Sequence, residues 1–167
     1  IKTNWKNANL TNNDLSNLLK NYKNIIKEKD IIDRAEWLAW ENKSQQLANL
    51  FKYLPRDYKS LYKARYLLMI RLYGVDFAIK NVPNKYKNNQ GLLYHRLRWK
   101  IKTEKIDSAI NLLLRAKSNV ENFNRPDKFW NPTSTIVRHL VYRKKYLSAY
   151  KIASQHYLKQ GSKYAEA

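Results

Sequence analysis

The sequence has no cysteine, three glycines, four prolines and one methionine, and its 13 acidic residues are outnumbered by 33 Lys and Arg. Without thiols there is no disulfide framework, no cysteine zinc site and no cysteine nucleophile. Gly74, Gly91 and Gly161 are too few and too scattered to write G-x-G-x-x-G or a P-loop, which excludes phosphate cradles of those two kinds. The longest apolar run, Tyr66 to Ile70, meets Arg71 at once, far short of the ~18 residues that a bilayer span needs. No charged n-region followed by an apolar h-region is written at the start, so any export signal is expected to lie outside this stretch. With 167 residues the chain can bury a core without staples, as one globular unit or a short repeat array.

What the sequence has in excess is positive charge, a formal +20. Lys, Asn and Ile share A/T-rich codons, so genome composition is one reading of that excess. The alternative is a basic surface that attracts nucleic acid, anionic lipid or acidic wall polymer through long-range, salt-screened forces.

Apolar spacing is helical throughout. Leu47, Leu50, Phe51 and Leu54 fall at i, i+3, i+4 and i+7 behind Ser44, a candidate N-cap, and Pro55 ends the run. Ile106, Ala109, Ile110 and Leu113 repeat the pattern, with Asp107 near the helix start. Further helices are expected over residues 15–26, 30–43, 57–72, 90–102, 133–144 and 147–157, with loops at 81–89 and 118–132. No segment alternates with period two, so strands are not expected. Residues 57–73 carry two apolar stripes, Leu61, Ala64, Leu68 and Leu72 on one and Tyr58, Tyr62, Met69 and Tyr73 on the other. A helix with two such stripes packs on a hairpin partner and on the neighbouring hairpin as well.

Internal similarity leads to the same reading. Val75-Asp76-Phe77-Ala78-Ile79 returns as Ile106-Asp107-Ser108-Ala109-Ile110, and a third copy, Tyr146-Leu147-Ser148-Ala149-Tyr150, keeps the alanine. Each follows a long apolar helix and a short turn, at the 30–40-residue periods of helical-hairpin solenoids. The expected fold is all-α, a right-handed superhelix of stacked antiparallel helix pairs. Residues 1–29 are expected to form an N-terminal helix and lead-in, and 30–167 the helical-repeat domain.

No catalytic constellation is written. His95, His139 and His156 lie far apart and outside any metal-ligand spacing, so packing or surface roles are expected. No Ser sits in G-x-S-x-G. Glu36 with Glu41 and Glu104 with Asp107 sit among Lys and Arg, as on solvated helix faces. Five Trp and 13 Tyr could stack on bases or sugars, but Trp37 and Trp99 fall where first helices fill inter-helix space. No cofactor and no metal are expected.

A family resemblance rests on an ordered series of segments. Val75-Asp76-Phe77-Ala78-Ile79-Lys80-Asn81-Val82-Pro83 is followed by Gly91-Leu92-Leu93-Tyr94-His95-Arg96-Leu97-Arg98-Trp99-Lys100 and by Asp107-Ser108-Ala109-Ile110-Asn111-Leu112-Leu113-Leu114. Then come Phe129-Trp130 with Ile136-Val137-Arg138, the run Tyr146 to His156, and Tyr164-Ala165-Glu166-Ala167. Together they resemble the α-superhelical region of soluble lytic murein transglycosylases over roughly Asp30 to Ala167. Asn131-Pro132-Thr133 departs from the family's Arg-rich continuation, and glycine is scarcer at the turns.

The resemblance implies a periplasmic protein whose superhelix is joined in cis to a lysozyme-like domain. In the family that domain cleaves peptidoglycan between N-acetylmuramic acid and N-acetylglucosamine, using one Glu. No Gly-Leu-Met-Gln motif occurs here, so no catalytic residue is carried over, and the chain is expected to be a fragment ending within a helix. The expected role is a non-catalytic scaffold for peptidoglycan cleavage and wall turnover. Its partners would be peptidoglycan or another wall polymer, with proteins as further candidates, and Arg96, Arg98, Trp99 and Arg138 as candidate contacts. The alternatives are a TPR-like interaction module unconnected with the wall and, less favoured because only charge supports it, a nucleic-acid-binding helical domain.

Overall fold

A computed structural model describes residues 2–118, 124–156 and 158. The described residues are predominantly helical and contain no strand, as the periodicity predicts. Residues 119–123, Tyr157 and the Tyr164 to Ala167 motif lie outside them. The chain divides into two compact units between Leu92 and Leu93.

The first unit contains α1 (Lys2–Trp5), α2 (Asn12–Asn21), α3 (Glu28–Trp40), α4 (Ser44–Leu50), α5 (Arg56–Ile70) and α6 (Val75–Lys80), then a 3-10 turn at Asn84–Tyr86. Helix α3 packs on α1, α4 and α5, α4 on α5, and α5 on α6. Trp5, Leu15 and Ile26 join Leu38, Leu47, Leu50 and Tyr62 in one buried cluster, so residues before Asp30 are part of this core. Thr11 caps α2. Its hydroxyl accepts the Asp14 N–H at 3.2 Å, and Asp14 accepts the Thr11 N–H at 3.1 Å.

Helix α7 (Gln90–Lys102) carries the chain across the division, and the second unit continues with α8 (Ile106–Ser118), α9 (Pro126–Tyr142) and α10 (Tyr146–Ala153). Helix α9 packs on both α8 and α10.

Three hairpin turns share one construction. Asn42, Glu104 and Lys144 each take left-handed φ near 60° at the end of a first helix. The following lysine, Lys43, Lys105 or Lys145, donates its N–H back to the carbonyl of Leu38, Lys100 or Leu140 at 2.8–2.9 Å. Its own carbonyl then accepts the N–H of Leu47, Ala109 or Ala149 at 3.0 Å. These are Schellman-type stops that use polar residues where glycine is commonest, which accounts for hairpins in a chain so poor in glycine. The second helices at Val75, Ile106 and Tyr146 begin at the positions aligned in the sequence repeat. Ala109 and Ala149 are buried at the crossings.

The structure corrects several boundaries. Lys43, not Ser44, holds the cap position of α4 and makes no side-chain cap bond, because the turn's own backbone bonds fill that role. Helix α2 ends at Asn21 rather than near Ile26; Ile26 alone turns into the core while Tyr22 and Ile25 are exposed. Leu72 and Tyr73 do not extend the stripes of α5, because Arg71 turns left-handed and leaves both exposed. The largest difference is α9, which occupies residues 126–132 of the expected loop and runs through Pro132. Pro126 suits the first turn, where its missing N–H costs nothing. Phe129, Pro132, Thr133, Ile136 and Leu140 form one buried stripe, whose burial outweighs the backbone bond lost at Pro132.

Candidate anion-binding surface

Arg96 and Lys100 stand one turn apart on α7, and Ser108, Asn111, Leu112 and Arg115 follow a single face of α8. Because a three-residue turn folds α8 back beside α7, these six residues line one open groove of about 250 Å³. Among the described residues the lining holds three cations and no carboxylate. Lys100 Nζ donates to Ser108 Oγ, tying the two walls together. Asn111 adds an amide, which donates and accepts, and Leu112 an apolar floor. Two guanidinium forks and an ammonium converging on a concave surface are suited to a carboxylate or phosphate, which arginine can hold through two parallel N–H bonds.

Of the residues expected from sequence, the groove includes only Arg96. Arg98 is half-buried on another side of α7, its guanidinium 5.4 Å from the Tyr94 ring centroid, and Tyr94 meets Phe129 edge-on at 5.7 Å. Trp99 is half-buried beneath Lys105, whose Nζ lies 4.7 Å from the ring centroid. Trp37 and Lys43 make the same contact in the first unit at 4.8 Å, so this cation–π clip belongs to the hairpin turn. Arg138 is exposed on α9, within 3.5 Å of Thr135 Oγ1. Lys100, Ser108, Asn111 and Arg115 were missing from the sequence expectation; the signal on α8 was the polar i, i+3, i+7 spacing of Ser108, Asn111 and Arg115, off the Ala109 and Leu113 stripe.

The acidic pairs and histidines are also placed. Glu36 is half-buried and does more than face solvent: it bonds the fully buried Arg65 and accepts the Tyr62 hydroxyl at 2.9 Å. Arg65 lies 5.5 Å from both the Trp40 and the Tyr62 ring centroids. Burial foremost, then the Glu36 charge, raises the Tyr62 pKa and keeps its phenol protonated. A Cβ at Gly91 would fall 2.3 Å from Arg65 Cζ, so glycine leaves the space that the guanidinium fills. Asp107 accepts Arg143 Nη1 at 2.9 Å. His95 is buried against Tyr94, and His156 Nδ1 accepts the Leu158 N–H at 2.9 Å. Among the described residues no group of three or more His, Cys, Asp or Glu is placed to hold a metal ion.

No protein-family model matches the chain, and no curated protein or solved structure matches it either.

Proposed function

We propose that this chain is a non-catalytic scaffold of a periplasmic soluble lytic transglycosylase, in which serial hairpins stack into a superhelix that holds wall polymer for a lysozyme-like domain in cis. The groove between α7 and α8 carries this reading. Its three cations suit the free carboxylates of peptidoglycan stem peptides. The repeated left-handed turns and buried alanines support the hairpin unit from which such an arm would be built. Support for the wall connection comes from the ordered series of segments between Asp30 and Ala167.

The test is sedimentation of the chain with purified peptidoglycan at low and moderate salt. Retention at low salt, weakened by salt and by Arg96→Ala with Arg115→Ala, is the expected result. No retention at either salt concentration overturns the reading.

A further inference from the structure

The tip of the α9–α10 hairpin combines two features that folded chains usually separate. Tyr142 is 88 % exposed, Tyr146 62 %, Leu147 83 % and Tyr150 73 %. Tyr146, Leu147 and Tyr150 occupy i, i+1 and i+4 of α10 and share its outward face, while Ala149 and Ile152 fill the inward one. Arg143, Lys144 and Lys145 form the turn between these apolar residues, and Lys151 follows on α10; all four are exposed. Between Lys128 and Leu158 the sequence has six cations and no Asp or Glu. Asp107 reaches the tip from α8, where it holds Arg143 at 2.9 Å and fixes the turn.

The chemistry selects among occupants of this face. A second copy would set Lys144, Lys145 and Lys151 against the same lysines, so the charge opposes self-association. A nucleic acid would use the tyrosine rings and cations but has no use for an aliphatic side chain as exposed as Leu147. An anionic bilayer uses all of them: cations at lipid phosphates, tyrosines at headgroup level and leucine among the first acyl carbons. We propose that the α9–α10 tip is a peripheral docking surface for an anionic phospholipid membrane. This goes beyond the scaffold role and does not depend on it. No helix among the described residues is long and apolar enough to cross a membrane, so docking would be interfacial.

The experiment is co-sedimentation of the whole chain with vesicles of phosphatidylglycerol and phosphatidylcholine, beside vesicles of phosphatidylcholine alone. Binding is expected to the anionic vesicles and to be at least tenfold weaker to the neutral ones. Lys144→Ala with Lys145→Ala is expected to weaken it by about 30-fold. Leu147→Ser with charge unchanged is expected to weaken it by about tenfold. Every altered side chain is exposed, and far-UV circular dichroism confirms that each variant folds. Equal binding to neutral vesicles, or full binding by Leu147→Ser, overturns the proposal. So does a concentration-dependent dimer lost in Leu147→Ser, or retention on single-stranded oligonucleotide that exceeds retention on vesicles. Peptidoglycan retention is measured separately with the groove variants, so failure of either reading leaves the other standing.

Discussion

The two units use positive charge in opposite ways. In the first, Arg34 and Arg65 are buried as deeply as any leucine. Arg34 donates to the carbonyls of Trp5, Lys6 and Ala8, and Arg65 bonds Glu36 between two aromatic rings. In the second, no Lys or Arg among the described residues is fully buried, and the cations line a groove or ring a hairpin tip. A formal +20 therefore does not describe one basic surface: some of it is internal structure, and the part available to a partner has to be found residue by residue.

The largest predicted effect tests whether the buried cation depends on its partner. Glu36→Ala leaves the fully buried Arg65 without its carboxylate, and removing the partner of a buried charge costs about 3 kcal/mol. In a unit of this size that lowers the first thermal transition by roughly 12–24 °C. A calorimetric scan that leaves this transition within a few degrees would show that Arg65 does not need the pair. Gly91→Ala, which forces the guanidinium to move, is expected to lower the same transition while leaving Glu36 in place.

Arg34→Met keeps the apolar stem and removes the donors that hold the N-terminal segment. Burial already disfavours the Arg34 charge, and the pKa shift is downward. Arginine nevertheless stays protonated, so the carbonyl bonds must offset that cost. The expected loss is about 2 kcal/mol, together with faster amide exchange at residues 2–8 and a red-shifted emission from Trp5, whose ring lies 5.1 Å from the guanidinium. Unchanged exchange there would assign the anchoring to Trp5 Nε1, which donates to the Asp30 carbonyl at 2.8 Å.

The helical class and the hairpin starts were legible in the sequence because the apolar spacing repeats and the aligned alanines lie at close crossings. Buried arginines were not legible. Arg34 and Arg65 look like any other cation until the carbonyls and carboxylate that surround them are brought together from 26 to 29 residues away. Helix α9 was hidden because Pro132 reads as a breaker, although its ring fills an apolar position of the buried stripe. Only one of four expected contacts, Arg96, fell in the groove. Arg98, its neighbour but one in sequence, stands about 160° away around the helix, while Trp99, only about 60° away, is taken up beneath Lys105 by the hairpin turn.

Thr11→Ala removes the hydroxyl that caps α2 and should cost on the order of 1 kcal/mol. The same hydroxyl, followed by the Thr11 backbone N–H, holds the Asp14 carboxyl below its ordinary value. A depressed carboxyl pKa means the stabilisation is complete above the unfolded value near 3.8 and is lost as pH falls through the folded one. The difference between Thr11→Ala and the parent chain should therefore shrink in acid. A gap that stays constant from neutral pH to pH 3 would remove Asp14 from the cap's energetics.

The smallest effect concerns what the two units share. Lys43 over Trp37 and Lys105 over Trp99 are the same clip built 62 positions apart, each lysine also supplying the backbone N–H that closes its turn. Replacing either lysine by glutamine keeps the backbone bond and deletes only the cation–π attraction, worth roughly 0.5–1 kcal/mol at a solvent-facing ring. Lys43→Gln should lower the first transition and Lys105→Gln the second by similar small amounts, and the two effects should add in the double variant, because the sites share no partner. If Lys105→Gln instead leaves stability unchanged but weakens peptidoglycan retention, Trp99 and Lys105 act on a ligand. The second unit would then have turned a structural clip of the first into part of its binding surface.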